Sequence, residues 1–325
     1  MVSKLNFFLE TLQVILLCIY YLLEFFLSFL FARKKNIAGE IVLITGAGSG
    51  MGRLMALKFA RLGAILVLWD VNLEGNKETA RLARKIGAVR VHDYICDCSK
   101  RQEVYQVAAQ VKKEVGDVSI LINNAGIITG KMFLDTPDML LEKSIQVNTM
   151  AHFWTIKAFV PAMVASNRGH VVTISSAAGF NGVNKMADYC TSKFAVLGLA
   201  ESLALEMLAM KRNGIKSTIV CPYIVNTGMF DGCETKWPYL LPIIDPEYAV
   251  ERIVSGILRN ERYIFIPRSL YLFNVIKSML PAKIVDVLYD YFGILQVMNR
   301  FKGRTTKTED YKYQTKAIKP PSSLD

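Results

Sequence analysis

Hydrophobic residues are unevenly distributed along the chain, and their spacing divides it into regions of different character. Residues 7 to 31 form a nearly unbroken apolar run, which exceeds the roughly 20 residues that a helix needs to span a bilayer. From residue 40 onwards, short apolar runs alternate with stretches in which apolar residues recur every three or four positions. These are the spacings of buried strands and of amphipathic helices. The pattern therefore predicts an apolar helix followed by an α/β domain.

The alternating region contains six apolar runs that predict strands and a seventh that suggests one more. Strands that follow one another through helices form right-handed units, and these build a parallel sheet with helices on both faces. We therefore predict a single α/β domain with a Rossmann-type doubly wound parallel sheet. The predicted strands are IVLIT, ILVLWD, VRVHDYICD, VSILINN, HVVTISS, IKSTIVCP and finally RYIFIP.

Changes in composition predict where these regions begin and end. Residues 228 to 247 are irregular and rich in apolar residues and proline, which suggests a lid over a substrate cleft. Pro281 divides the later apolar segment into halves that are each too short to span a bilayer, which favours an interfacial contact or a core helix. The predicted regions are an N-terminal membrane anchor at 1–35, the Rossmann domain at 36–267, an apolar membrane-associated segment at 268–301 and a polar, disordered tail at 302–325.

The predicted anchor carries one narrow polar stripe. At 100° per residue, Glu10, Gln13, Glu24 and Ser28 fall within an arc of about 60°. The stripe leaves three geometries open, namely a spanning helix with a partner, a helix in the interface and a hairpin within one leaflet. No small-residue cleavage site follows the run, so we expect it to be retained. The stretch ARKK, with three basic residues, follows it, which predicts a cytosolic catalytic domain.

Charge and cysteine content limit the classes of partner. The formal net charge is +11, but much of the basic excess lies beside the apolar segments, where it suits anionic lipid headgroups; solvated charge is the alternative for the tail. No predicted element combines alternating basic and aromatic residues with a shape that could read bases, so nucleic acid is not an expected partner. The six cysteines form no CxxC pair, which indicates reduced thiols and predicts no metal site.

A glycine-rich turn follows the first predicted strand and leads into a helix. Gly46, Gly50 and Gly52 allow a tight turn and a close approach of a pyrophosphate to backbone N–H groups at a helix N-terminus. Asp70 ends the second strand, where a carboxylate binds ribose hydroxyls and repels a 2′-phosphate. Ser49 adds no compensating cation, so the motif predicts NAD rather than NADP.

Ser176, Tyr189 and Lys193 form the candidate catalytic group. Residues four apart on a helix share one face, so Tyr189 and Lys193 should point into the same cleft. We expect the ammonium and a positive nicotinamide ring to lower the phenol pKa from about 10 towards about 7. Tyr189 would then act as general base for an alcohol or as general acid for a carbonyl, while Ser176 holds the reacting oxygen.

These motifs, in this order, resemble the short-chain dehydrogenase/reductase family over nearly all of residues 40 to 266. The resemblance implies a cofactor turn at residues 45–52 and an adenine contact through Asp97, while Asn148 completes a proton relay through water. Pro222-Tyr223 stands where the family often has Pro-Gly, which puts the local shape beside the nicotinamide in question. The site residues implied are Gly46, Ser49, Gly50, Met51, Gly52, Asp70, Asp97, Asn124, Asn148, Ser176, Tyr189, Lys193, Val225 and Thr227.

Within the family, the apolar N-terminal run and stretches such as DYCTSKFA and IVCPYIVNTGMF resemble the membrane-bound retinol dehydrogenases. This resemblance implies NAD-dependent oxidation of all-trans-retinol at the endoplasmic reticulum membrane or at lipid droplets. Family members commonly pair through helices, so a homodimer is also implied. Two alternatives remain open, a hydroxysteroid or other lipid-alcohol dehydrogenase and a lipid-droplet scaffold protein with vestigial catalysis. The residues by themselves indicate only that the substrate is lipophilic.

Overall fold

The computed structural model describes residues 2–31 and 34–304, and within the first helix it places the side chains of residues 6–24. The chain divides into two compact units, Met1–Asn36 and Ile37–Asp325. Of the predicted polar tail, residues 305–325 lie outside the described part of the chain.

The first unit contains one helix, α1 (Val2–Phe31). Its stretch Asn6–Glu24 is long and apolar enough to cross a membrane, and its side chains are not buried by protein. An apolar helix without protein around it leaves its side chains in water unless a lipid phase covers them. The predicted N-terminal helix is thus present, with a composition compatible with membrane anchoring.

The second unit is built on a seven-stranded parallel sheet with the order β3-β2-β1-β4-β5-β6-β7. The predicted doubly wound architecture is confirmed. Each predicted run contains a strand: the first, second and sixth coincide with their runs, and the others begin or end one or two residues away. Their bounds are β1 Ile41–Thr45, β2 Ile65–Asp70, β3 Val91–Ile95, β4 Ile120–Asn123, β5 Gly169–Ile174, β6 Ile215–Pro222 and β7 Tyr263–Ile266.

Helices cover both faces of this sheet. Alternate residues of β1 face opposite ways, so Ile44 packs in the core beneath α2 and α8 while Leu43 packs in the core beneath α4 and α6. On the second face, the rings of Trp69 and Phe159 lie 5.5 Å apart. The helices are α2 Gly50–Arg61, α3 Leu73–Lys85, α4 Arg101–Glu114, α5 Asp138–Ile145, α6 Ala151–Ser166, α7 Ala187–Ala209, α8 Pro246–Leu258, α9 Ser269–Met279 and α10 Ala282–Tyr291.

The order of the strands places the functional crevice. The chain crosses from β3 at one edge back to β4 beside β1, so the loops after β1 and β4 diverge there. In open α/β sheets, ligands bind outside the carboxyl ends of the strands at this point of divergence. The glycine-rich turn after β1 and the NNAG stretch after β4 both open onto it.

The segment after β7 does not form one long helix. As expected from Pro281, it is divided into α9 and α10, and the chain then continues through turns to residue 304. The predicted lid at 228–247 is irregular up to residue 245, and its last two residues begin α8. An isolated bridge joins Val225 to Ile244 near its end. The lid and the C-terminal segment pack on the same side of the domain, as their contacts described below show.

Candidate active site

A crevice with a cavity volume of about 430 Å³ lies at the carboxyl ends of β1, β4 and β5. It brings together nearly all of the site residues predicted from the sequence. Of that set, the residues lining it are Gly46, Ser49, Gly50, Met51, Gly52, Asp70, Asp97, Asn124, Ser176, Tyr189, Lys193, Val225 and Thr227. Asn148 is fully buried behind it.

Two glycines of the turn cannot be replaced without moving the backbone. Gly46 has φ +67°, a left-handed conformation that residues with a side chain rarely adopt. A Cβ atom on Gly52 would lie 2.0 Å from the carbonyl oxygen of Gly46. The start of α2 therefore lies directly against the turn, and its free N–H groups face the crevice. This bare backbone cradle fits the pyrophosphate of a dinucleotide.

Side chains from three other segments hold this turn in place. The Oδ2 atom of Asp70 accepts a hydrogen bond of 2.8 Å from the backbone N–H of Gly48. Asn124 donates from Nδ2 to the carbonyl oxygen of Thr45 at 2.8 Å. Arg53, which is buried, donates to the carbonyl oxygen of Gly48 from below. The turn is thus preorganised by the protein, so a ligand need not order it on binding.

Asp97 lies at the far end of the crevice, in the loop after β3. Its Oδ1 atom accepts hydrogen bonds from the backbone N–H of Ser99 at 3.0 Å and from its hydroxyl at 2.6 Å. Lys143 lies 3.3 Å from its Oδ2 atom. Burial alone would raise the pKa of Asp97, but the bonds from Ser99 and the charge of Lys143 outweigh it and lower the pKa. The carboxyl group is therefore ionised at neutral pH.

Ser176, Tyr189 and Lys193 are brought together beneath the crevice and are all buried. Lys193 Nζ donates a hydrogen bond of 2.9 Å to the carbonyl oxygen of Ile174, at the end of β5. Lys193 Nζ also lies 5.5 Å from the centroid of the Tyr189 ring. The Ser176 hydroxyl accepts a hydrogen bond of 3.1 Å from the N–H of Ala178. The spacing of Tyr189 and Lys193 along α7 thus produces the predicted juxtaposition.

Burial is the largest cause of the pKa shifts of Tyr189 and Lys193. Burial raises the pKa of Tyr189 above its ordinary value, and a hydrogen bond with Ser176 only partly opposes this. Burial lowers the pKa of Lys193 to about 8. The predicted lowering of the phenol pKa includes the charge of a bound nicotinamide; within the protein alone, desolvation of the phenol dominates and its pKa is raised. A bound cation near the phenol would act against this desolvation.

Asn148 lies within a π-helical turn, Gln146–Met150, between α5 and α6. Its amide exchanges two hydrogen bonds of 2.8 Å with the backbone of Ile127. Its Nδ2 atom also donates to the Ser192 hydroxyl at 3.0 Å, and that hydroxyl donates to the carbonyl oxygen of Tyr189. Such turns often occur at functional sites because they redirect backbone carbonyls. Asn148 thereby ties the loop after β4 to the helix that bears Tyr189.

Val225 and Thr227 form the wall of the crevice where the lid begins. The N–H of Thr227 donates a hydrogen bond of 2.8 Å to the carbonyl oxygen of Val225. The N–H of Ile244 donates to the carbonyl oxygen of Ile224 at 2.8 Å, so the segment just before the lid is joined to a residue near the end of the lid. Tyr223 occupies the position of the expected glycine and lines both the crevice and the adjoining apolar pocket. Its side chain therefore separates the two cavities in part.

An apolar pocket of about 70 Å³ adjoins the crevice at Ser176. The lid and the C-terminal segment contribute half of its lining, which includes Phe230, Leu241, Phe273, Ile294, Val297 and Met298. Its lining is almost free of polar atoms, as expected for a site that accepts a lipophilic molecule. The segment 268–301 thus covers the pocket in addition to having an exposed outer surface.

A polar network fastens this cover to the catalytic domain. Tyr289 donates from its hydroxyl to Asn181 Oδ1 at 2.8 Å, and Asn181 donates from Nδ2 to Asn274 Oδ1 at 3.0 Å. Lys277 donates to the carbonyl oxygen of Phe180. The sequences of α9 and α10 contain no motif that predicts these long-range contacts. Residues 302 and 303, which composition assigns to the tail, continue the cover, since their N–H groups donate to Asp231 at 2.8 and 3.2 Å.

Several residues of the site are not evident from the sequence. Arg53 directly follows the glycine-rich turn, but the spacing of residues along the chain does not predict that its side chain is buried. Lys143 and Arg304 also line the crevice, and each comes from a segment without a recognisable motif. Asn181 and Tyr289 are 108 positions apart in the sequence, so only the tertiary fold brings them into contact.

Known proteins share this architecture and these motifs. A family model described as short chain dehydrogenase matches residues 40–236. Epidermal retinol dehydrogenase 2 of Mus musculus is 62% identical over 275 residues, which cover 85% of this chain and 89% of that protein. Estradiol 17-beta-dehydrogenase 11 of Rattus norvegicus is 45% identical over 284 residues, with coverages of 87% and 94%.

A solved structure with the same fold is a short chain dehydrogenase/reductase from Burkholderia phymatum in complex with NAD. It superposes with a TM-score of 0.67 at 25% identity and covers 74% of this chain and 93% of its own. The sheet order, the glycine-rich turn and the Ser-Tyr-Lys group thus agree with a family match that spans more than half of the chain. The protein belongs to the short-chain dehydrogenase family.

Proposed function

We propose that this protein oxidises all-trans-retinol to all-trans-retinaldehyde with NAD. The observation that carries the proposal is the position of Ser176 at the junction of a dinucleotide crevice and an apolar pocket, with Tyr189 and Lys193 beside it. The 62% identity to a protein named as a retinol dehydrogenase supports the retinoid over other lipid alcohols.

Each catalytic side chain has a separate task in this reaction. Ser176 binds the alcohol oxygen through its hydroxyl and orients it towards Tyr189. Tyr189 acts as the general base and takes the hydroxyl proton as the carbonyl forms. When bound, oxidised NAD supplies the hydride acceptor. Asn148 joins the loop after β4 to α7 and so holds Tyr189 in position. We also assign Asn148 a place in a proton relay through water.

The ionisation of Tyr189 depends on Lys193. Because burial raises the phenol pKa, its anion forms only when positive charge lies near it. Lys193 supplies one such charge from below the ring, fixed by its bond to the carbonyl oxygen of Ile174. The charge of an oxidised nicotinamide would add to it. Tyr189 should therefore become an effective base only in the cofactor complex, which limits unproductive proton exchange.

The choice of NAD is supported by Asp70. Its carboxylate is held at the end of β2 by the N–H groups of Gly48 and Asn72, each at 2.8 Å. A fixed anion there can accept hydrogen bonds from ribose hydroxyls and repels a 2′-phosphate. Gly46, Ser49, Gly50, Met51 and Gly52 are proposed to hold the pyrophosphate. Asp97, Asn124, Val225 and Thr227 complete the proposed cofactor site.

The substrate also requires access from a lipid phase. We place the protein at the endoplasmic reticulum membrane with its catalytic domain in the cytosol, and also at lipid droplets. Helix α1 supports attachment by its length and apolar surface. Helices α9 and α10 expose large apolar side chains on the cover of the substrate pocket, including Leu272, Met279, Ile284 and Val287. Exposed apolar surface of this extent is typical of interaction with a membrane.

A homodimer is part of the proposal. Helix α7 bears Tyr189 on its buried side, while its other side exposes Phe194, Gly198 and Leu205 at helical spacing. These exposed apolar side chains, with a glycine between them, permit close approach of a second helix. Pairing through α7 would stabilise the helix that carries the catalytic residues.

The decisive experiment measures retinaldehyde formed from all-trans-retinol and NAD by microsomes that contain this chain. The Tyr189→Phe variant, with its hydroxyl removed, is the paired control. We expect product from the first and none above background from the second. Equal product from both would contradict the role of Tyr189, and oxidation of estradiol without oxidation of retinol would contradict the substrate.

A further inference from the structure

Arg304 lies inside the cofactor crevice although it is distant in sequence from every cofactor motif. A Cβ atom placed on Gly50 would lie 3.6 Å from a terminal nitrogen of the Arg304 guanidinium. The same point lies 3.3 Å from the Cβ atom of Thr227. The guanidinium, the lid residue and the first residue of α2 therefore meet at one place.

The backbone before Arg304 is fixed by contacts on two sides. The N–H groups of Lys302 and Gly303 both donate to the carbonyl oxygen of Asp231 in the lid. The ring of Phe301 lies against Gly130, where a Cβ atom would come within 2.0 Å of it. Gly130 belongs to the loop after β4, so this short strap, residues 301–304, crosses between the two walls of the crevice.

Arg304 supplies a positive charge where the glycine-rich turn itself has none. The turn at residues 46–52 contains no basic residue. Among the described residues that line the crevice, the other cations are Lys143 and Lys193. Lys143 pairs with Asp97 at one end, and Lys193 lies below Tyr189 at the other. Of these three cations in the described lining, Arg304 is the one that lies at the N-terminus of α2.

We propose that Arg304 is a cofactor-binding residue whose guanidinium donates hydrogen bonds to the pyrophosphate of the dinucleotide. The proposal rests on the proposed function in one respect, namely that the crevice holds NAD. Guanidinium groups match phosphate oxygens in geometry and carry a permanent charge. The strap also continues from Val297 and Met298, which line the apolar pocket. One C-terminal segment therefore contacts both the cofactor site and the substrate site.

Three ligands separate a phosphate contact from a general effect on the crevice. NAD and ADP-ribose contain the pyrophosphate, whereas adenosine lacks it. Their affinities are measured by calorimetry on the full chain in detergent micelles, for the parent protein and for Arg304→Gln and Arg304→Lys. Arg300→Gln is the matched control, because Arg300 is exposed on the same segment and pairs with Glu234. A thermal melt of each variant confirms that it is folded.

We expect Arg304→Gln to weaken NAD and ADP-ribose by about 10-fold or more, since hydrogen bonds to charged groups contribute that much. Adenosine should bind unchanged, Arg304→Lys should recover part of the loss, and Arg300→Gln should behave as the parent does. ADP-ribose affinity within two-fold of the parent would overturn the proposal, as would an equal loss for adenosine. Failure of the parent protein itself to bind NAD or ADP-ribose would instead refute the proposed cofactor, and this proposal with it.

Discussion

The ammonium nitrogen of Lys193 lies 5.5 Å from the centroid of the Tyr189 ring, and it is held there by a hydrogen bond of 2.9 Å to the carbonyl oxygen of Ile174. One turn of α7 separates the two residues, and the end of β5 determines where the longer side chain terminates. The ring and the charge are therefore positioned by different elements of the fold. This arrangement makes the base strength of Tyr189 dependent on a neighbour that is itself buried.

Replacement of Lys193 by Met should lower kcat for retinol oxidation by at least about 100-fold, the usual scale for disabling a general base. Methionine keeps the length of the side chain but removes the charge that stabilises the phenolate. Initial rates in microsomes test this, with Lys157→Met as the control because Lys157 is exposed on α6. A rate within three-fold of the parent would contradict the role assigned to Lys193.

Replacement of Asp70 by Asn should reduce the preference for NAD over NADP by about 10-fold or more. The amide removes the negative charge that repels a 2′-phosphate, yet its oxygen can still accept the bond from Gly48. Asp70→Ala should also relax the preference but bind both cofactors poorly, because the turn loses its support. The ratio of kcat/KM for the two cofactors is the measurement. An unchanged ratio in Asp70→Asn would count against the assignment.

His152 should make the fold sensitive to acid. Burial, aided by the charge of Lys193, lowers the pKa of this imidazole to about 3 from an ordinary value of 6.5. The unfolded chain therefore binds a proton below about pH 6.5 while the folded chain does not, so stability falls as pH falls from 6.5 towards 3. Between pH 6.5 and 4 the loss should be about 3 kcal/mol.

Denaturant unfolding in detergent at pH 7 and pH 4 tests this loss, with His152→Gln as the comparison. Glutamine does not titrate, so the variant should lose about 3 kcal/mol less than the parent over this interval, even if it is less stable at pH 7. Equal losses in the two proteins would show that other groups cause the acid sensitivity.

Gly52→Ala should abolish cofactor binding. The added methyl group would lie 2.0 Å from the carbonyl oxygen of Gly46, so the turn would have to move away from α2. We expect NAD affinity to fall by about 100-fold or more, as for a site whose preorganised backbone is lost. Gly182→Ala is the control, because its added methyl group would meet no atom within 4 Å. Normal NAD binding by Gly52→Ala would exclude this turn as the cofactor cradle.

Tyr289→Phe should weaken retinol binding without affecting NAD. The change removes the hydrogen bond of 2.8 Å to Asn181 that fastens the C-terminal cover, worth about 1 kcal/mol or roughly a five-fold change in affinity. KM for retinol should rise by about this factor at an unchanged KM for NAD. Tyr291→Phe serves as the control, because Tyr291 is exposed and Trp237 donates its hydrogen bond to the backbone oxygen of Tyr291, which the change keeps. A rise in both KM values would indicate a general loss of structure.

Much of the fold was predictable because its signals are local. The apolar runs at Ile41–Thr45 and Ile215–Pro222 are the strands themselves, since a strand buried on both faces requires consecutive apolar residues. The glycine-rich turn and the Tyr189–Lys193 spacing were equally readable, because a turn and a helical repeat depend on residues close in sequence. The ends of the third strand were less certain, because pairing with β2 determines where it stops.

The sequence by itself determined the parallel sheet, the dinucleotide turn with its acidic residue and the identity of the Ser-Tyr-Lys group. Only the tertiary structure decided that burial raises the phenol pKa, that the segment after β7 covers the apolar pocket, and that Arg304 reaches the N-terminus of α2. Composition could not distinguish a membrane-facing helix from a pocket cover, because both need an apolar face. Desolvation and contacts between distant residues depend on what surrounds a side chain, and that is set when the whole chain packs.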